Sequence, residues 1–293
     1  MAVAASPTVR RRRLAAELRD IRQARGVSGD IVASALDWSP AKISRYELAR
    51  TGLKPEDVER LLDYYQVTGQ RRARLLALAQ DATQKGWWEE YSDSVAPGLL
   101  QFIGLEQEAS SIATWQGEIA PGLLQTESYA RHVIGAYSQL EPTPPGIVER
   151  RVRVRMERQQ VIARDPRPEL TFVLDESMLY RRIGDARLMH DQLMHLAEES
   201  GRPNVTLRVL PLSAEHALFG PSYVIFHFGP GSDAMLHDVV STEGLQHDFY
   251  VEGETDTYLH GLAFEILLGA SLSPEESRDL IIEAAQSRWQ GAG

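Results

Sequence analysis

The sequence has no cysteine in 293 residues, which excludes disulfides, thiolate metal sites and cysteine nucleophiles together. It also lacks any run near the ~18 consecutive apolar residues of a membrane-spanning helix, so no membrane partner is expected. Met1-Ala2-Val3-Ala4-Ala5-Ser6-Pro7 leads into Arg10-Arg11-Arg12-Arg13 rather than an apolar h-region. No signal peptide is predicted and a cytoplasmic location is expected. The common catalytic signatures are missing too: neither G-x-x-x-x-G-K-[ST] nor G-x-G-x-x-G occurs, and neither does G-x-S-x-G or H-E-x-x-H. Four of the eight histidines, His227, His237, His247 and His260, fall near the end of the chain, and His237 and His247 each precede an Asp. A metal centre can be drawn from them, but no two share a close ligand spacing on one element. Structural or surface histidines are the expectation, with no metal, no cofactor and no enzymatic activity.

What is present is the mixture of a soluble globular chain with a real core, 43% hydrophobic and 25% charged. The net charge of −10 hides an asymmetry. Residues 1–85 carry 16 basic against 10 acidic side chains, and residues 86–293 carry 15 against 31. A basic head on an acidic body suggests that the head meets a polyanion.

Leu14, Leu18 and Ile21 recur at three- to four-residue spacing across residues 10–25 and predict an amphipathic helix ending at Gly26. Ser28 is a good N-cap for a short helix with Ile31, Val32, Ala35 and Leu36 on one face. Ser39-Pro40 restarts helix immediately, because proline costs nothing at a first helical position. Pro55 opens a fourth helix and residues 71–80 form a fifth. About five helices in 1–85 predict a compact all-α domain. From Lys85-Gly86-Trp87-Trp88 onward the composition changes, and residues 86–293 are expected to form an α+β domain with a small, mostly antiparallel sheet. Helices are predicted over 104–115, 122–138, 145–164, 185–200, 254–270 and 274–289. Strands are predicted over 170–174, 205–210 and 223–228, with weaker ones over 235–240 and 249–251. The hexapeptide Ala96-Pro-Gly-Leu-Leu-Gln101 recurs at Ala120-Pro-Gly-Leu-Leu-Gln125 and predicts two similar turn-to-helix starts.

Residues 28–47 have the layout of a helix-turn-helix, with a tight turn at Leu36-Asp37-Trp38-Ser39. A helix entering a major groove ~12 Å wide needs small or hydrogen-bonding residues at its outward N-terminal end. Ser39, Pro40, Ala41, Lys42, Ser44 and Arg45 meet that demand, while Ile43 and Tyr46 turn inward. Lys42 and Arg45 share a face from which one can reach a guanine edge and the other a phosphate. Arg50 and Lys54 follow in the loop, and Ser28-Gly29 offers helix-start amides to phosphate. The run Arg10, Arg11, Arg12 and Arg13 fits either an arm in a minor groove or a solvated helix start. In the body, "WQGEIAPGLLQTE" is the strongest functional stretch. There Trp115, Gln125 and Tyr129 are candidates for a ligand pocket or partner groove, with a buried aromatic core as the alternative.

Residues 28–47 resemble the helix-turn-helix of Cro/repressor-like (XRE-type) regulators, with "SPAKISRYELART" at the recognition helix and following loop. The segments "GLEQEASSIATWQGEIAPGLLQTESYARHVI", "LDESMLYRRIGD", "LMHDQLMHLAEESGRPNVTLRVLP" and "LSPEESRDLIIEAA" resemble the C-terminal domain of a group of actinobacterial regulators described as antitoxin-like. The resemblance implies regulated binding of double-stranded DNA as a homodimer and suggests a small protein partner encoded nearby. Gly29 stands where the resembled family commonly has a phosphate-touching Gln. The expected function is a transcriptional regulator that reads an operator with its third helix. The alternative is an antitoxin-like module that mainly holds a small partner, with DNA binding as autoregulation.

Overall fold

The computed structural model describes residues 7–49, 51–83, 86–215, 220–229, 238–244, 248–251 and 253–290. The chain divides into two compact units, one built on Met1–Glu89, the other chiefly on Ala109–Gly229 and His237–Gly293.

The head holds α1 (Pro7–Ala24), α2 (Gly29–Leu36), α3 (Pro40–Glu47), α4 (Pro55–Tyr64) and α5 (Gly69–Asp81). Its core joins Leu14, Leu18 and Ile21 of α1 to Val32, Ala33, Ile43, Tyr46, Val58, Leu62 and Leu75. On α2 this corrects the expected face, since Ala33 turns inward with Val32 while Ile31 and Ala35 are exposed. Three of its helices end alike. After α1, α2 and α4 the residues Gly26, Asp37 and Gln66 take positive φ (67°, 57° and 49°). The amides that follow reach back: Val27 N to Arg22 O, Trp38 N to Ala33 O and Val67 N to Leu62 O. Each is a Schellman ending with an apolar residue just beyond it. Only Gly26 adopts that conformation without a Cβ penalty.

The body is built on a sheet that has, among the described residues, six strands in the order β3-β2-β1-β4-β5-β6. They are β1 (Ser111–Gln116), β2 (Glu169–Asp175), β3 (Val205–Leu210), β4 (Tyr223–His227), β5 (Val239–Glu243) and β6 (Asp248–Val251). β1 and β2 pair in parallel, as do β2 and β3. β1–β4, β4–β5 and β5–β6 are antiparallel. This corrects the expected small, mostly antiparallel sheet, and one strand explains the error. Residues 111–116, predicted as the end of a helix, form the central strand, buried at its four inner positions. A strand covered on both faces loses the alternation that marks a strand in sequence, and its Ala113 and preceding helix favour the wrong assignment. Once β1 is a strand, the chain reads β-α-β-α-β, which implies parallel neighbours.

Besides the strands, the chain after the head forms α6 (Pro97–Glu106), α7 (Glu127–Ala136), α8 (Pro145–Arg158), α9 (Ser177–Tyr180), α10 (Ala186–Glu199), α11 (Glu254–Ala270) and α12 (Pro274–Ala284). The helix predicted over 122–138 is interrupted at Gln125-Thr126, and the one over 145–164 changes to a 3-10 turn at Gln159. One face of the sheet packs Trp115, Val173, Tyr223, Ile225 and Val240 against Phe264 and Leu267 of α11. The β3 edge is covered: Val209 N donates to Ser277 Oγ at 2.9 Å and Leu272 N donates to Val209 O, which removes an edge open to further pairing.

Candidate nucleic-acid interface

The turn between α2 and α3 is three residues long. Asp37 in the left-handed region ends α2, Trp38 follows, and Ser39 caps α3 by accepting from Lys42 N at 3.2 Å. Ser28 caps α2 in the same way through Ile31 N at 3.3 Å. With Pro40 at the first turn of α3, both helix starts are fixed by local chemistry alone.

α4 braces this unit from inside. Tyr46 Oη donates to Asp57 Oδ2 at 2.5 Å, and Lys42 Nζ lies 3.0 Å from the same oxygen. Lys42 also sits 3.8 Å above the Trp38 ring, a cation–π contact. Arg60 covers that ring too and donates to Leu36 O at 2.6 Å. Burial pushes the Asp57 carboxyl up, but the hydrogen bonds from Tyr46 and Lys42 and the nearby positive charges outweigh it, so its pKa falls below the ordinary value. Burial, then the bond to Asp57, pushes the Tyr46 phenol well up. From the other side Arg22 grips Glu47 with two bonds of 2.6 and 2.8 Å and donates to Val27 O, the bidentate geometry of a strong pair.

These contacts sort the predicted site residues. Ser28, Ser39, Pro40, Ala41, Ser44 and Arg45 are exposed, on or beside the outward face of α3. Lys54 is exposed at the start of α4, and Arg50 lies outside the described residues. Lys42 is half-buried and engaged by Asp57 and Trp38, so within the described geometry it braces the helix. Gly29 is half-buried, and a Cβ there would meet only Ile43 at 3.5 Å, an ordinary contact that leaves room for a side chain. The arginine run is not extended: it lies within α1. Arg10 Nη1 donates to Asp81 O at 3.0 Å and Arg11 Nε to Ala82 O at 3.2 Å. These two cations thus satisfy carbonyls at the end of α5 and complement its dipole.

Sequence reasoning missed Arg19 and Leu48. Both line a shallow open depression with Gly29, Asp30, Pro40 and Ser44, between the starts of α2 and α3 and the flank of α1. Arg19 precedes Arg22 by three, so the helical period carries its signal, though only the Arg22–Glu47 pair reveals which side of α1 faces α3.

In the body, Trp115, Gln125 and Tyr129 lie in the interior, each less than a tenth exposed. Gln125 is held at both amide atoms: Nε2 donates to Ala120 O at 2.7 Å and Oε1 accepts from Arg155 Nη1 at 2.7 Å. Tyr129 Oη accepts from Ala120 N, and burial raises its pKa. Gln159 and Gln192 bind the backbone of the same loop at Gln125 O, Leu124 O and Thr126 N. This geometry positions the 120–126 loop. Of the four late histidines, His227 pairs with Asp238 at 2.7 Å and His260 contacts the Asp256 carbonyl, while His237 and His247 lie outside the described residues. Among the described residues no cluster of three metal-binding side chains occurs, and no helix is long and apolar enough to cross a membrane.

A family model described as a helix-turn-helix domain matches residues 13–75. One described as a domain of unknown function, DUF5753, matches residues 91–283. No curated protein and no solved structure matches the chain.

Proposed function

The chain belongs to the DUF5753 family through residues 91–283 and carries a helix-turn-helix domain at residues 13–75, and on that premise we propose that it is a sequence-specific, double-stranded-DNA-binding transcriptional regulator of the XRE type. α3 enters the major groove and reads base edges with Arg45 and Ser44. Ser39 and the free amides at the starts of α2 and α3 hold phosphates, with Lys54 and Arg19 as flanking cations. The observation that carries this reading is the division of α3: Ile43 and Tyr46 are buried, Lys42 is engaged, and a small, polar and cationic face is left outward. The protein acts in the cytoplasm as a homodimer whose DUF5753 domain receives the regulating signal, because a single head of this size buries too little surface for tight specific binding. No catalytic step is part of the reading.

Part of the head's positive charge is paired within the head. Arg71 and Arg74 pair with the buried Glu17, and Arg72 with Glu59 and Asp63. Phosphate contacts are therefore fewer than the sixteen basic side chains of residues 1–85 would allow. Anisotropy titrations on the upstream DNA at rising salt test this. A linear fall of log affinity with log salt, shallow enough for a few phosphates per head, is expected. A salt-independent affinity, or equal affinity for all sequences, overturns the proposal.

A further inference from the structure

α11 is apolar on two sides. Phe264 and Leu267 face the sheet and are buried. On the opposite side Tyr258, Leu259, Leu262 and Ile266 are 68%, 54%, 46% and 48% exposed. Apolar helix surface favours burial, yet among the described residues only the sheet-facing side of α11 is covered. At 100° per residue, Tyr258, Leu262, Ile266 and Gly269 fall within one quarter-turn, together with Thr255. Within the sector there is no charged side chain; Glu265 and, just beyond it, Glu254 flank one margin. Gly269 is exposed, and a Cβ there would meet nothing within 4 Å. An exposed helical glycine with open space gains nothing for the isolated chain, but it admits close approach of a second backbone.

We infer that the outward face of α11 is the two-fold interface that joins two copies of this chain. The inference rests on the proposed dimeric regulator and supplies its missing surface. An isologous contact requires that residue i meet residue j and the reverse. Crossed antiparallel about Leu262, the stripe meets this demand. Tyr258 falls against the partner's Ile266, Thr255 against the partner's Gly269, and Leu262 on its own copy. Each bulky Tyr258 thus packs on an aliphatic Ile266, and each Gly269 meets the small Thr255. Charge favours the same choice. Residues 86–293 carry 31 acidic against 15 basic side chains, so two bodies repel each other across most surfaces and least across a nearly uncharged one. The four side chains expose about 400 Å² per copy on the scale of 150–250 Å² for a whole aromatic. With the flanking residues, a pair buries on the order of 1,000 Å², the threshold for a specific interface.

The chain has no cysteine, so Leu262→Cys supplies a single thiol on the proposed axis. Under mild oxidation the full-length protein should cross-link through it about 100-fold faster than through Leu140→Cys, because the axis raises the effective concentration far above micromolar bulk. Leu140 is an equally apolar and more exposed control, at 67%. Sedimentation without DNA should give twice 32.8 kDa for the wild type and a single chain for Leu262→Glu with Ile266→Glu, with circular dichroism unchanged. A monomeric wild type, a dimer that survives the double substitution, equal cross-linking of the two thiols, or a small foreign protein occupying the stripe overturns the inference. A dimer that loses the stripe as expected yet never binds DNA leaves this inference standing and sinks the proposed function instead.

Discussion

The head and the body get their order in different ways. In the head, α2 and α3 carry their own start signals. Ser28 and Ser39 cap the starts, left-handed residues close the ends, and one apolar face per helix points to one core. In the body the same six residues take two forms. Ala96–Gln101 leads into α6, whereas Ala120–Gln125 makes a single 3-10 turn at Gly122–Leu124. The second copy is fixed by distant side chains, since Gln159 and Gln192 bind its carbonyls. Local chemistry marks where α2 and α3 begin, whereas the mixed sheet depends throughout on contacts remote in sequence.

The largest expected effect breaks the body alone. Phe172 is 1% exposed in β2, and Phe172→Ala should cost about 3–5 kcal/mol. Hydrogen exchange should accelerate across β1–β3 while α1–α5 keep their rates. Acceleration in both units would show that they melt as one.

Next come two cations of one helix. Lys42→Ala removes one of the two partners of Asp57 and one of the two cations over Trp38, and should lower head stability by about 1–2 kcal/mol. Arg45→Ala, at an exposed position, should leave the thermal melt within about 0.5 kcal/mol of wild type. Equal losses of stability would contradict the division of α3 into a bracing and a reading face.

A pH titration isolates the brace further. The folded pKa of Asp57 lies below its ordinary 3.8. Its contribution is therefore complete above the unfolded value and is lost as pH falls through the folded one. Asp57→Asn should flatten that acid limb of head stability, and an unchanged acid limb would remove Asp57 from the account. The smallest effect is a gain. Asp37 holds φ 57°, and Asp37→Gly should stabilise the head by about 0.5–1 kcal/mol, read as a raised melting temperature with the helix-turn-helix intact.

These contrasts also show what the sequence could disclose. The caps at Ser28 and Ser39, the proline at α3 and the inward Ile43 and Tyr46 are legible because each acts within four residues. The engagement of Lys42 is not, since Asp57 is fifteen residues away and nothing local links them. Arg10 and Arg11 of the arginine run are likewise held by the carbonyls of Asp81 and Ala82 at the far end of the head. In the body, α10 and α12 show their period, but β1 has apolar neighbours on both faces and its identity depends on pairing with β2 and β4. Trp115, Gln125 and Tyr129 drew notice as candidate ligand contacts, and their burial follows from packing that no local pattern records.

The central claim is that the outward face of α3 reads DNA while its inner face holds the head together. The most direct measurement compares wild type and Arg45→Ala on the upstream region by gel shift, at matched salt and with melts recorded in parallel. The account predicts a saturable shift that Arg45→Ala weakens by about 1–3 kcal/mol, with relaxed choice at one position per half-site and an unchanged melt. Equal affinity and equal sequence preference in the two proteins would contradict it.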